Sequence, residues 1–538
     1  MRKTLTGLLG ATLLATPAFA APPKLVIAIS VDQFSSDLFD EYRPAFTGGL
    51  ARLSSGAAFR NGYQGHAATE TCPGHSTILT GDRPARTGII ANNWFDLSQT
   101  RSDKGVYCAE DERVAGSSTS HYTVSPIHLR VPTLGERLKQ VSPASRSVAV
   151  AGKDRAAVMM SGQRPDQRWY WDGKRYTTDL VGVRVPAVVA ATNAAVAKLL
   201  AAPANPLEAP PLCVAKSKSV AIEGGGMPVG AGAFARAAGD ARSFRASPQF
   251  DGATLALAAG LIQEMKLGKG KATDLIAIGA SATDYVGHTY GTEGQEMCLN
   301  LLSLDRDLGD FFAVLDRQGL DYVVVLTADH GGNDVPERQQ AAGIHDAARV
   351  DPALFPAEVG KAIAAELGLK GPVLVGDSPF GDIYLDRALA PADRKRALTA
   401  AIARYQGHPQ VEAAFTHDQL RHAKLSTGSP DAWSMIDRAR ASFDDQRSGD
   451  LVVLLRRRVT PIADTKSYVA THGSPWDYDR RVPILFWRAG MPAVASEAAI
   501  ETIAIAPTLA AWIGVPIERE AIDGSCLMSV PGVTCPAR

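Results

Sequence analysis

The sequence predicts an α/β protein with a mostly parallel central sheet flanked by helices and with inserted cap regions. Continuous apolar runs rich in β-branched residues recur at 25–31, 147–152, 274–281 and 322–327, the pattern of strands buried on both faces of a parallel sheet. Helical periodicity at 253–265 and 302–315 falls between them, as alternating strands and helices require. Each run also ends in polar or charged residues, Asp32, Lys153-Asp154-Arg155, Asp284 and Asp329-His330, and open α/β sheets bind ligands beyond the carboxyl ends of their strands.

Residues 1–20 read as a secretory signal: Arg2 and Lys3, an apolar run at 8–14, then Ala18-Phe-Ala20. A mature chain of 21–538 is then a single α/β unit with insertions at about 160–250 and 335–465. Losing Arg2 and Lys3 takes the 56 basic residues to 54 against 56 acidic ones. That balance gives no basic footprint for nucleic acid or for an anionic membrane. No later apolar run is long enough to span a bilayer. The expected protein is exported, periplasmic or secreted, with its oligomeric state left open and a monomer compatible. Six cysteines fit an oxidising compartment. Many pairings are open; order along the chain favours Cys72 with Cys108, Cys213 with Cys298 and Cys526 with Cys535.

Leu25-Val-Ile-Ala-Ile-Ser-Val31 delivers Asp32, which either caps a helix or faces a ligand. In Thr69-Glu-Thr71-Cys-Pro73-Gly74-His75 a loop turns into a helix. Pro73 suits a first helical position, and Gly74 allows close backbone approach. The stretch is either an ordinary capped helix with Thr71 as its cap, or an anion site at a helix N-terminus. Asn92 lies in a polar pair between apolar groups. Lys153 and Arg155, spaced by one residue, can reach one oxyanion from an extended chain, or form a solvated cluster. From about 160 to 250, Trp169-Tyr-Trp171, a Pro-rich stretch and Gly224-Gly-Gly226 suggest irregular inserted structure outside the sheet.

Asp284 and His288 are four apart and so share a helix face or a tight turn, suited to one metal. Asp329-His330 ends the next strand. A second insertion carries helix signals at 392–405 and a strand from 451, and the core pattern resumes at Tyr468-Val-Ala-Thr-His472-Gly473, before a strand at 482–486 and a helix near 507–512. Asp32, Asp284, Asp329, His288, His330 and His472 form a mixed oxygen and nitrogen set that suits zinc. Six ligands fit two three-ligand sites with open positions. The remaining histidines, His66 and His75 among them, read as surface or core residues.

Taken together, Asp32, Thr71 with its helix, Asp284-xxx-His288, Asp329-His330 and His472-Gly473 resemble the alkaline phosphatase superfamily. Asn92 and the Lys153-x-Arg155 pair look like its branch of bacterial periplasmic, phosphate-irrepressible alkaline phosphatases that use threonine. The resemblance implies a phosphomonoester hydrolase with two zinc ions and Thr71 as nucleophile. It also implies Asp32, Asp329 and His330 on the zinc that binds the Thr71 oxygen, Asp284, His288 and His472 on the other, and Asn92, Lys153 and Arg155 on the phosphoryl group of small-molecule phosphate esters. Nucleotide phosphodiesterases of the same superfamily are the alternative. Sulfatases share the frame of Thr71-Cys-Pro73-Gly-His75, but threonine cannot give their aldehyde and His75 stands where they have arginine.

Overall fold

The computed structural model describes residues 21–536; residues 1–20, read above as a secretory signal, lie outside them. The main sheet has ten strands. Five run parallel at its centre, in the order Tyr322–Thr327, Leu25–Val31, Asp274–Ala280, Ser147–Ala151 and Gln167–Trp171. Arg481–Arg488 joins Tyr322–Thr327 antiparallel and links it to Ala57–Tyr63, and the short strand Tyr176–Thr177 closes the opposite edge antiparallel.

Alternation along each buried run builds two cores. Leu25, Ile27 and Ile29 enter one with Ile276 and Ile278, while Val26 and Ala28 enter the other with Leu275 and Ala277. The first is covered by the helices Pro248–Glu264 and Gln295–Arg317, through Leu257, Leu261, Leu308 and Phe312. The second is covered by Thr71–Thr80 and Ile505–Ile513, through Ile78, Leu79 and Leu509. Each fully buried aliphatic side chain contributes about 1.5–3 kcal/mol, and the resulting three-layer sandwich leaves strand tips as the place for polar residues.

Three sequence expectations need correction. Gln167–Trp171 is a strand of the main sheet, not irregular insertion: Trp169 and Trp171 pack into one core and Tyr170 into the other. The charge of Arg168 hides that alternation in the sequence; its guanidinium is buried against Asp179, with Nε 2.8 Å from Oδ1. The helix expected at 302–315 begins at Gln295, because its early polar residues are used internally: Glu296 accepts from the N–H groups of Gly230 and Gly232, and Asn300 Nδ2 donates to Thr283 Oγ1. The helix after Thr69 begins at Thr71, so Pro73 is its third residue.

The segment 335–465 carries a separate antiparallel sheet of Leu374–Val375, Gly381–Leu385, Leu451–Leu455 and Val411–Thr416. Ile363, Ile383, Tyr405 and Val453 give it a core of its own. All three cysteine pairs match chain order: Cys72–Cys108, Cys213–Cys298 and Cys526–Cys535. Among the described residues no helix is long and apolar enough to cross a membrane.

Candidate active site

The C-terminal ends of the central parallel strands meet the N-terminus of the helix Thr71–Thr80 in a buried polar site. Thr71 is its first residue and is fully buried. The helix can press so close only because of Gly74, where a Cβ would stand 2.0 Å from the Asp329 carbonyl oxygen. Glu70 and Asn92 brace the turn: Asn92 N–H donates to Glu70 Oε2 at 2.6 Å, and Cys72 N–H donates to Asn92 Oδ1 at 2.8 Å. The Cys72–Cys108 bond ties the same turn to the hairpin Asn93–Phe95/Gly105–Tyr107 that follows Asn92.

Lys153 and Arg155 reach the site from a helix start rather than an extended chain, since Lys153 caps the helix Asp154–Ser161. Their targets differ. Arg155 Nη2 lies 3.5 Å from Thr71 Oγ1. Lys153 Nζ lies 2.5 Å from Asp284 Oδ2 and 2.9 Å from Asp32 Oδ2. The Tyr107 hydroxyl, 3.5 Å from Arg155 Nη1, donates to Asp154 Oδ1 at 2.7 Å and holds that corner.

Two acid–imidazole clusters flank the lysine. Asp284, His288 and His472 offer ligand atoms within 4.8 Å of one another, as do Asp32, His75 and Asp329. Asp284 and His288 sit one turn apart on the helix Ala282–Tyr290, with Asp284 Oδ1 3.3 Å from His288 Nε2 and 3.3 Å from His472 Nε2. His472 comes from a loop and stacks on His330, ring centroids 3.5 Å apart. Burial and the nearby His330 charge push the His472 ring down to about 3. For Asp284 burial works upward, but His288 and Lys153 outweigh it and hold the carboxyl well below its usual range.

His330 Nε2 is 3.1 Å from Asp329 Oδ2. The unforeseen neighbour is His75, whose Nε2 is 3.2 Å from Asp32 Oδ1 and whose Nδ1 is 3.2 Å from Asp329 Oδ2. Burial opposes charge on this ring, yet the two carboxylates raise it to about 10. The signal was available: His75 is four residues after Thr71 and so on the same helix face. Gln33 was also missed. It adopts φ 64 directly after Asp32, and its N–H donates to Asp329 Oδ1 at 3.1 Å, so the left-handed backbone here serves to link the two strand ends that carry the carboxylates.

The donor set fits divalent metal. The Nδ1 atoms of His288, His330 and His472 each lie 2.8 Å from a backbone carbonyl, of Ala470, Gly331 and Thr69. Donation there leaves each Nε2 lone pair free and fixes the ring, as metal-ligating imidazoles require. Asp32 Oδ1, Asp284 Oδ1, Asp329 Oδ2 and the His330 Nε2 are buried without a hydrogen-bond partner, a costly arrangement unless a cation balances it.

Such a site, at the strand tips of this fold, defines an α/β hydrolytic core of the alkaline phosphatase superfamily, and sequence comparison agrees. The chain belongs to the family described as type I phosphodiesterase / nucleotide pyrophosphatase, whose model matches residues 26–475, and within it to the phosphate-irrepressible alkaline phosphatases. It is 54% identical over 517 residues to alkaline phosphatase PhoK of Sphingomonas sp, covering 95% of this chain and 92% of that one. It is 47% identical over 521 residues to alkaline phosphatase PhoD of Zymomonas mobilis, covering 96% and 90%. The fold superposes on a crystal structure of alkaline phosphatase PafA with TM-score 0.82 at 24% identity, over 95% of this chain and 99% of that one. Murine ectonucleotide pyrophosphatase / phosphodiesterase 5 is more distant, with TM-score 0.56 at 13% identity over 93% and 97%.

Proposed function

We propose that this protein is a two-zinc phosphomonoester hydrolase, exported from the cell, that acts on small phosphate esters through a phosphothreonine at Thr71. The observation that carries the reading is the Thr71 hydroxyl at a helix N-terminus, 3.5 Å from the Arg155 guanidinium, within a set of convergent metal-type ligands. Relatives named alkaline phosphatases support the substrate class. Asp32, Asp329 and His330 would hold one zinc with the Thr71 oxygen, and Asp284, His288 and His472 the other. Bound there, zinc lowers the pKa of a coordinated hydroxyl or water and stabilises oxygen charge.

The chain's own residues supply the rest. The Thr71 hydroxyl gives up its proton to solvent as Oγ attacks phosphorus in line; the ester P–O bond breaks and its oxygen takes a proton from solvent to leave as alcohol; water then attacks the phosphothreonine, and the Oγ–P bond breaks to release inorganic phosphate and restore the hydroxyl. Arg155, the Asn92 amide nitrogen and the positive N-terminal end of the helix Thr71–Thr80 would oppose the growing charge on the phosphoryl oxygens. Lys153, set between Asp32 and Asp284, adds a second cation. Two cations at one phosphoryl group suit a monoester dianion better than a diester, which separates this reading from the nucleotide phosphodiesterase alternative named by the family description.

The test compares hydrolysis of an aryl phosphate monoester, a diester and a sulfate by the purified protein, after chelation and after zinc is restored. Monoester turnover should dominate, vanish on chelation and return with zinc. A protein that prefers the diester would reverse the assignment.

A further inference from the structure

A cavity of about 340 Å³ lies between the core and the 335–465 segment, bordered by Glu70, Asn92 and Gly473 on the core side. Its size is that of a small-molecule pocket. It lies beside the Thr71 turn, because Glu70 precedes Thr71, Asn92 braces that turn and Gly473 follows His472. At Gly473, whose φ is +108, an added Cβ would meet the Phe380 ring at 3.1 Å, so Phe380 stands over the edge of the site. Whatever an ester carries beyond its phosphoryl group has this cavity beside it.

Its walls are unlike those of the phosphoryl site. Phe95, from the hairpin, and Tyr384, from the cap strand, form a T-shaped corner with ring centroids 5.8 Å apart, and Phe380 adds a third ring. The charged lining residues are all acidic, Glu70, Asp377 and Asp382, and no lysine or arginine lines the cavity. Asp382 Oδ1 is fixed by the Gly449 N–H at 2.7 Å. Burial, with Glu70 and Asp444 nearby, pushes its carboxyl up to about 6, so it is charged above neutral pH. Aromatic faces with carboxylates attract cations, quaternary ammonium groups above all. The same carboxylates repel an anionic leaving group, which a general phosphate-binding cleft would have no reason to do.

We infer that this cavity receives the alcohol portion of the substrate and selects phosphate monoesters of cationic amino alcohols, choline phosphate being the fitting example. The inference rests on the phosphomonoesterase reading and adds its substrate class.

The test measures kcat/KM for choline phosphate, for its uncharged isostere in which carbon replaces the quaternary nitrogen, and for phenyl phosphate as reference. Choline phosphate should exceed the isostere by about tenfold. In Asp382→Asn, which keeps the acceptor for Gly449, and in Asp377→Asn, the ratio should fall while phenyl phosphate turnover stays near that of the wild type. Free choline should compete with phenyl phosphate more strongly than its carbon isostere. Equal kcat/KM for the charged and uncharged esters, with phenyl phosphate still cleaved, would overturn the inference and leave the phosphatase standing. Failure to cleave phenyl phosphate would overturn the phosphatase reading and the inference together.

Discussion

The two acid–imidazole clusters use the same kinds of group on different kinds of backbone. Asp32, His75 and Asp329 are fully buried and come from two adjacent strand ends and the helix packed on them. Asp284 and His288 come from one helix, and His472 from a loop held by its Nδ1 contact to Thr69 O at 2.8 Å. The side chain of His288 keeps 14% of its surface exposed and that of His472 6%. One cluster is part of the core's construction and the other is closed by a loop, so the first should be tied to folding and the second to exchange with solvent.

Substitutions and metal removal probe that difference, beginning with Thr71, the proposed nucleophile. Thr71→Ala should lower steady-state monoester turnover by about 10⁴-fold or more while the protein keeps its zinc and its melting temperature; near wild-type turnover would remove Thr71 from its role. Slow chelation of the zinc-loaded protein should release metal in two phases, half from the His288 side first, as followed by a colorimetric zinc indicator; a single phase would erase the distinction between the clusters. His472→Ala should reduce bound zinc from two to one per chain with the fold intact, whereas Asp329→Ala should also cost stability, by roughly 3–5 kcal/mol for leaving buried charge unpaired; similar melting temperatures for the two variants would contradict the proposed division. Gly74→Ala should destabilise by about 3 kcal/mol, because its Cβ would stand 2.0 Å from the Asp329 carbonyl. Denaturant unfolding measures it, and an unchanged midpoint would mean the helix can retreat from the strand tip.

What could be read from the sequence follows from how locally each feature is encoded. Leu25–Val31 and Tyr322–Thr327 were legible to the residue because strands buried on both faces leave an uninterrupted apolar run. Their tips therefore pointed at Asp32 and Asp329 without a structure. Gln167–Trp171 was not legible, since the partner that neutralises Arg168, Asp179, is distant enough in sequence to look unrelated. For His75 the only signal was its spacing of four from Thr71 on one helix face: the helix Thr71–Thr80 is buried on every side, so no polar face strengthens that hint. The paired location of Lys153 between Asp32 and Asp284 depends on three separate strand ends converging, which only the sheet order supplies.

The bond between Cys72 and Cys108 has a consequence for when the site comes into being. Asn92 lies 20 residues beyond Cys72 in the chain, so in the unfolded chain the Thr71 turn and its amide partner must find each other across a stretch that becomes helical only on folding. Closing the 36-residue span between the cysteines removes much of that freedom from the unfolded chain. A chain kept reduced would depend on hydrogen bonds alone to keep Asn92 at the Thr71 turn, whereas an oxidised one has the two covalently leashed. Oxidation of this one cysteine pair thereby becomes part of assembling the turn that carries Thr71 and Asn92.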